Sequence, residues 1–119
     1  MSIAKFLEGL KGRSELEISV KGRLTKKTHS TTVWFVHTET RIYLLPVSGS
    51  DTNWYKNVLK DPNIALTVDG KTVSSKAEPV TKPERVQEII KLFAGKYGGM
   101  SEINRWYSKL DVAIEIPLA

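Results

Sequence analysis

The chain has 119 residues, enough for one compact domain with a core and too few for two ordinary domains. Its composition is 40% hydrophobic and 26% charged, and a formal net charge of +5 favours anionic partners without specifying a fold. With no cysteine, the chain has no disulfide, thiolate metal site or cysteine nucleophile.

The first part of the chain predicts one helix and three strands. Helical spacing of apolar residues predicts a short helix that stops near Gly12, and these residues are Ile3, Phe6, Leu7 and Leu10. Alternation predicts a first strand at 16–20, and a basic segment separates it from a second strand at 31–36. A third strand at 41–47 follows so closely that the two should pair as a hairpin, with Pro46 at a strand end.

The middle of the chain predicts a helix and a second hairpin. Ser50 or Asp51 is expected to cap a helix that ends before Pro62. Its expected buried side consists of Trp54, Tyr55, Val58 and Leu59. Strands at 64–68 and 71–80 should be joined by a two-residue turn at Asp69-Gly70.

The last part predicts two helical segments and a final strand. Residues 81–84, Thr-Lys-Pro-Glu, are typical of a capping box, with Thr81 as the cap. We expect Gly95, Gly98 and Gly99 to break this helix, and a short helical piece at 103–107 to follow. Alternation predicts the last strand at 112–116.

Six predicted strands joined largely by hairpins indicate an α+β fold. A doubly wound parallel sheet would need a helix between most strands, which the pattern lacks. We therefore predict a six-stranded, mostly antiparallel barrel with flanking helices in one domain, 1–119. No apolar run approaches the roughly 18 residues of a membrane span, and the N-terminus lacks a signal-peptide pattern, so we expect no membrane partner and a cytoplasmic location.

Common catalytic and nucleotide-binding motifs do not occur. The sequence has neither a dinucleotide fingerprint nor a P-loop, and no nucleophile elbow. The two histidines, His29 and His37, lie eight residues apart on one predicted strand, too far to share a metal, so no metal site is predicted.

Two glycine-containing segments have the chemistry of a phosphate site. Residues 22–32 are basic and rich in hydroxyls, which suits charge-assisted hydrogen bonds to phosphate. Residues 48–50, Ser-Gly-Ser, open a helix whose free N–H groups suit an anion, although the carboxylate of Asp51 would compete for them. Lys26 and Lys27 fit solvated loop charges equally well, and Trp34 and Trp54 fit packing residues better than ligand stackers.

In their order and spacing, the segments at 22–36 and 41–71 resemble the deazaflavin-dependent nitroreductase family. That family is part of the flavin-reductase-like split barrels, which include pyridoxamine 5'-phosphate oxidase-like proteins. The shared features are a glycine-arginine turn, a threonine-rich strand ending in aromatics, a serine-glycine loop, and a helix with asparagine and tryptophan. The resemblance covers about residues 15–80. It implies a six-stranded split barrel, usually a homodimer, that binds FMN or a deazaflavin coenzyme of the F-420 type.

The resemblance also implies roles for individual residues. Gly22, Arg23 and Thr25 would form the phosphate-side turn, and Lys26 would supply a further cation. The strand beneath the ring system would contain Thr31, Thr32 and Trp34. A second phosphate loop would be Ser48, Gly49 and Ser50, with Asn53 and Trp54 beside the cofactor. The sequence departs from the family in having Leu24 for a lysine, Lys26 for a glycine and His29 for an arginine.

These observations favour an oxidoreductase-type protein that transfers a hydride between its cofactor and an unknown small-molecule acceptor. Catalytic residues cannot be assigned from the sequence. One alternative is a cofactor-free dimeric barrel that serves as a binding scaffold, and a weaker one is a basic barrel that binds nucleic acid. Trp106 and Tyr107 are the aromatic candidates for a dimer interface.

Overall fold

The computed structural model describes residues 3–118; Met1, Ser2 and Ala119 of the predicted domain lie outside the described residues. The helices are α1 (Ile3–Leu10), α2 (Asn53–Lys60), α3 (Pro83–Tyr97) and α4 (Met100–Trp106), and a 3-10 helix (Gly49–Asp51) precedes α2. Within residues 3–118, no helix combines the length and apolarity needed to cross a membrane.

The described residues form eight strands in two antiparallel sheets. The strands are β1 (Glu15–Lys21), β2 (Thr28–Trp34), β3 (Val36–His37), β4 (Arg41–Leu44), β5 (Asn63–Val68), β6 (Lys71–Lys76), β7 (Glu78–Val80) and β8 (Ala113–Pro117). Sheet A has the order β2-β1-β5-β6, and sheet B has the order β3-β4-β8-β7. The α+β class and the antiparallel pairing are therefore confirmed.

The predicted count of six strands is wrong because two extended segments each divide between the sheets. One segment leaves sheet A after β2 and enters sheet B as β3, with Phe35 at the break. The other passes from β6 to β7 at Ala77, whose N–H donates to the carbonyl of Pro62. Strands that switch sheets at bends are typical of nearly orthogonal sheet packing. The hydrogen bonds consequently define two linked sheets rather than one closed barrel.

Several predicted helix boundaries also need correction. The N-cap of α2 is Thr52, not Ser50 or Asp51, because those two residues belong to the preceding 3-10 helix. Lys82 rather than Thr81 is the N-cap of α3. Gly95 lies inside α3, which ends instead at Gly98 with a φ of 97°.

Two hydrophobic clusters explain the different strand patterns. The first lies between the sheets, where Ile18 and Leu66 of sheet A meet Ile42 and Ile114 of sheet B. The second lies between sheet B and helices α3 and α4. Sheet B is thus buried on both faces. Among residues 3–118 no helix covers the outer face of sheet A, so polar and apolar residues alternate along strands β1 and β5.

Candidate functional site

A cleft of about 510 Å³ lies between the β1–β2 turn, strand β2 and the beginning of α2. Half of the predicted cofactor-binding residues line it, and these are Gly22, Arg23, Thr25, Thr31, Asn53 and Trp54. The rest of its lining consists of Val20, Leu24, His29, Ser30, Thr52 and Asn57. Its volume is within the usual range of about 300–1,000 Å³ for small-molecule sites.

Strand β2 contributes inward-facing side chains that no core residue covers. Thr31 is paired with Ile18 and His29 with Val20, so these partners project from the same face of sheet A. Ile18 and Val20 are buried, whereas Thr31 and His29 are exposed. The first hydrophobic cluster therefore stops short of this end of β2, and the cleft occupies the space.

The turn between β1 and β2 is tightly hydrogen bonded. The N–H of Gly22 donates to the carbonyl of Lys27 at 2.8 Å, and the N–H of Lys26 donates to the carbonyl of Gly22 at 3.0 Å. Oγ1 of Thr25 lies 3.0 Å from Nε2 of His29. A Cβ on Gly22 would lie only 2.6 Å from that His29 nitrogen, so the turn needs glycine for space.

Arg23 connects this turn to helix α2. Its Nη1 donates to Oδ1 of Asn57 at 2.8 Å and to the carbonyl of Asn53 at 3.3 Å. Its backbone N–H also donates to Oδ1 of Asn57 at 3.1 Å. Since a guanidinium has five N–H donors, those on Nε and Nη2 have no acceptor among residues 3–118 and are available to an anion in the cleft.

The N-terminus of α2 borders the same cleft. Its N-cap, Thr52, makes no side-chain hydrogen bond to the helix, because its Oγ1 accepts instead from the N–H of Ser48 at 2.8 Å. The first-turn N–H groups of α2 therefore lack a side-chain cap. Uncapped N–H groups and the positive end of the helix dipole both favour an anion.

The predicted Ser48-Gly49-Ser50 loop lies outside the cleft lining and is bound by the chain itself. Oδ1 of Asp111 accepts a hydrogen bond from the N–H of Ser50 at 2.9 Å, and the other carboxylate oxygen accepts from the Ser50 hydroxyl. Burial alone would raise the pKa of Asp111, but the hydrogen bonds from Ser50 and the nearby Lys109 lower it below its usual value. An internal carboxylate thus occupies donors that were predicted to meet phosphate.

Three other predicted residues also lie away from the cleft lining. Trp34 stacks on Tyr97 with ring centroids 4.2 Å apart, so it packs against α3. Thr32 is paired with Glu17 on the outer face of sheet A. Lys26 lines a smaller pocket of about 190 Å³ beside the turn. Arg23 and Gly22 line both this pocket and the larger cleft.

The most informative residue that the sequence analysis missed is Asn57. It is the buried polar side chain of the described core, only 7% exposed, whereas Leu59, which we predicted to be buried, is 56% exposed. Asn57 follows Trp54 by three positions and precedes Val58, which places it on the buried side of α2. The sequence signal that could have identified Asn57 is a polar residue within the apolar stripe of a predicted helix. The cleft residues His29 and Ser30 were within the basic segment but were not singled out.

Several solved structures have a similar fold. A structure of an F420-H2 Dependent Reductase aligns with a TM-score of 0.68 and 18% identity, covering 87% of this chain and 94% of that one. A domain-swapped dimer aligns with a TM-score of 0.69 and 18% identity, covering 87% and 80%. A Clostridium acetobutylicum protein related to general stress protein 26, of the pyridoxinephosphate oxidase family, aligns with a TM-score of 0.66 and 11% identity, covering 98% and 82%.

The two sheets and the helices therefore have the fold that these structures share. The chain belongs to the DUF2255 family, described as an uncharacterized protein conserved in bacteria, whose match covers residues 6–113. A comparison with curated proteins gives no match.

Proposed function

We propose that this protein is a flavin- or deazaflavin-binding oxidoreductase that transfers a hydride between its bound cofactor and a small-molecule acceptor. The observation that carries the proposal is the convergence of Arg23, an uncapped helix N-terminus and the exposed, inward-facing hydroxyl of Thr31 on one cleft. The similar fold of an F420-H2 Dependent Reductase supports the same class of cofactor.

The cleft fits a phosphorylated aromatic cofactor in size and in donor chemistry. Its hydroxyl and amide groups come from Thr25, Ser30, Thr31 and Asn53, and its apolar surface comes from Trp54 and Leu24. Ligand sites for such molecules are commonly apolar with a few convergent polar groups. The phosphate would bind where the free N–H groups of Arg23 meet the first turn of α2, since both favour an anion.

The cofactor supplies the hydride chemistry when it is bound, and the protein binds, orients and shields it. Arg23 would hold the phosphate, and its bonds to Asn57 would keep the guanidinium in place between the turn and α2. Thr31 would hydrogen bond to the cofactor from strand β2. Leu24, which is 84% exposed, would cover apolar cofactor surface and exclude water from it.

We propose further that the protein forms a homodimer. A similar structure is described as a domain-swapped dimer. Trp106 is 54% exposed and lies edge-on to Trp34 at 6.4 Å, so a large aromatic surface is available to a partner. Tyr107, the other aromatic candidate for an interface, is 6% exposed and packs within its own chain. Light scattering that gave one chain's mass, 13.4 kDa, at micromolar concentration would contradict the dimer.

The cofactor proposal is tested by titrating the purified protein with FMN and, separately, with a deazaflavin coenzyme. We expect one of the two to bind at micromolar concentration, with a change in its absorption and fluorescence. Arg23→Ala should weaken that binding, and Lys27→Ala, a change in the same turn but outside the cleft lining, should not. Failure of both cofactors to bind at high micromolar concentration would overturn the proposal and favour the cofactor-free scaffold.

A further inference from the structure

A second cleft, of about 560 Å³, lies between the end of α1, strand β3 and the C-terminal half of α3. It shares no lining residue with the first cleft. Its lining consists of Leu10, Gly12, Arg13, Ser14, Val36, His37, Thr38, Leu92, Lys96 and Tyr97. The wall therefore combines aliphatic side chains with three basic ones and contains no carboxylate.

Lys96 is the most unusual of the three basic residues. Its Nζ lies 3.5 Å from the centroid of the Phe35 ring and donates to the Phe35 carbonyl at 2.8 Å. Within residues 3–118, no carboxylate is close enough to form an ion pair with it. The ammonium group is thus held against an aromatic surface with no counter-charge, which leaves its remaining donors for a ligand.

The other two basic residues lie on neighbouring elements. Nδ1–H of His37, on β3, donates to the carbonyl of Thr38 at 3.2 Å, so Nε2 of the neutral ring is an acceptor. Arg13, in the turn after α1, is paired with Asp69, which fixes one end of its guanidinium. Basic side chains from three separate elements therefore border one apolar cleft.

We propose that this second cleft binds a small organic carboxylate with an apolar body, held at its charged end by Lys96. A carboxylate that is removed from water is stable only when it is paired and hydrogen bonded, and the Lys96 ammonium supplies both the charge and the donors. Leu10, Val36 and Leu92 would contact the hydrocarbon part, and Leu92 is already 48% exposed. The site is independent of the cofactor proposed for the first cleft.

The proposal has a pH signature. Burial lowers the pKa of Lys96 to about 8. A bound carboxylate favours the charged ammonium, so affinity should be full below pH 8 and fall as the pH rises through that value. Arg13 is paired with Asp69. Burial raises the pKa of Tyr97 to about 12, so this hydroxyl stays neutral, and the charge of Glu15 acts on it in the same direction.

The direct test is titration of the protein with octanoate and with the neutral 1-octanol of the same chain length. Binding can be followed by tryptophan fluorescence, since Trp34 stacks on the cleft residue Tyr97 at 4.2 Å. We expect octanoate to bind at least about ten-fold more tightly than octanol, the scale of a hydrogen bond to a charged group. Equal binding of the two probes, or no binding of octanoate, would overturn the proposal.

Variants then assign the binding to the cleft. Lys96→Met should reduce octanoate affinity to the level of octanol. Lys91→Met removes an exposed lysine from the same helix but outside the cleft lining, and Arg23 does not line this cleft either; Lys91→Met and Arg23→Ala should both leave octanoate binding unchanged. Unchanged octanoate binding in Lys96→Met would contradict the assignment.

The pH dependence of the wild-type protein gives a readout that needs no variant. Octanoate affinity measured from about pH 7 to about pH 9.5 should fall above pH 8, while octanol affinity should stay level. A flat octanoate profile over this range would overturn the role of Lys96 even if Lys96→Met does not fold.

Discussion

The sequence predicted two glycine loops as phosphate sites, and the two differ in whether their anion comes from a ligand or from the protein itself. In the turn at 22–27, glycine packs against His29, and Arg23 keeps free donors on the cleft. In the loop at 48–51, glycine packs against Asp111, whose carboxylate already accepts hydrogen bonds from Ser50. One loop is open to an external anion, and the other is closed by an internal one.

This difference shows what a short glycine motif leaves undetermined. Both loops have a glycine, hydroxyls and nearby N–H donors, which is the composition of an anion site. The deciding residue, Asp111, lies 61 positions after Ser50 and reaches the loop only through the tertiary fold. Four substitutions, in order of decreasing expected effect, test whether the two loops differ in this way.

The largest effect should come from Gly49→Ala in the closed loop. Gly49 has a φ of 54°, where a side chain is strained by about 1–2 kcal/mol, and a Cβ there would overlap Oδ1 of Asp111. Displacing that carboxylate also breaks its bond to Ser50, so we expect a loss of about 3 kcal/mol in the free energy of unfolding. Urea denaturation would measure it.

The matched control is Gly70→Ala in the β5–β6 turn. Gly70 also has a positive φ, 72°, but a Cβ added there would meet no atom within 4 Å, so only backbone strain should lower the free energy of unfolding. We expect a loss of about 1 kcal/mol. Equal losses at the two glycines would mean that Asp111 does not hold the loop tightly.

In the open loop, Arg23→Ala should mainly reduce cofactor affinity. Losing a hydrogen bond to a charged group costs about 1.5–3 kcal/mol, or roughly a ten- to hundred-fold rise in the dissociation constant. Lys27→Ala, in the same turn, should change it by less than about 1 kcal/mol, as expected for a solvated charge. Fluorescence titration of both variants makes the comparison.

The structure changes one expectation for Arg23→Ala. The sequence alone predicts little effect on folding stability, but the guanidinium donates to Asn57 and to the carbonyl of Asn53. We therefore expect a loss of about 1 kcal/mol in the free energy of unfolding. The Arg23 backbone N–H still satisfies Asn57, which limits the loss. A loss of stability with intact cofactor affinity would make Arg23 a purely structural residue.

Asp111→Asn should change how the stability depends on acid. The pKa of Asp111 is lower in the folded protein than its unfolded value of about 3.9. The stability that the Asp111 carboxylate contributes is therefore fully present above the unfolded pKa and is lost as the pH falls through the folded pKa. The variant should lose about 1 kcal/mol at neutral pH and decline less steeply in acid below that unfolded value. Asp51→Asn, in the same loop, is the control, and an identical acid profile for the two variants would contradict the role of Asp111.

Local patterns predicted most of the fold. The period-two strands at Ile18 and Leu66 and the turn at Asp69-Gly70 are confirmed, because each depends on residues adjacent in sequence. The strand breaks at Phe35 and Ala77 could not be predicted in this way. At Phe35, the N–H donates to the Tyr97 hydroxyl at 2.9 Å, so the break is stabilised by a residue 62 positions away.

The candidate site was likewise predicted correctly only where its residues are close together in sequence. Gly22 and Arg23 line the cleft because a hairpin turn keeps neighbouring residues together. Whether Ser48, Gly49 and Ser50 meet a ligand depends on Asp111, and whether Trp34 faces a ligand depends on its stacking with Tyr97. Those contacts join distant parts of the chain, and a single sequence contains no signal for them.

The smallest effect should come from Lys26→Gly in the open loop. Lys26 adopts a left-handed φ of 63°, a conformation that favours glycine, and glycine is also common there in the nitroreductase family that the sequence resembles. Glycine would relieve about 1 kcal/mol of backbone strain in the folded state. This gain exceeds the cost of the conformational entropy that glycine adds to the unfolded chain, so we expect a net gain of about 0.5 kcal/mol in the free energy of unfolding. Lys27→Gly, at a residue without positive φ, should instead lose about 0.5–1 kcal/mol.

Because Lys26 lies outside the first cleft, FMN or deazaflavin affinity should stay within about two-fold in Lys26→Gly. A larger fall would show that the phosphate extends over the turn into the smaller basic pocket, so that the open loop binds its anion on both sides.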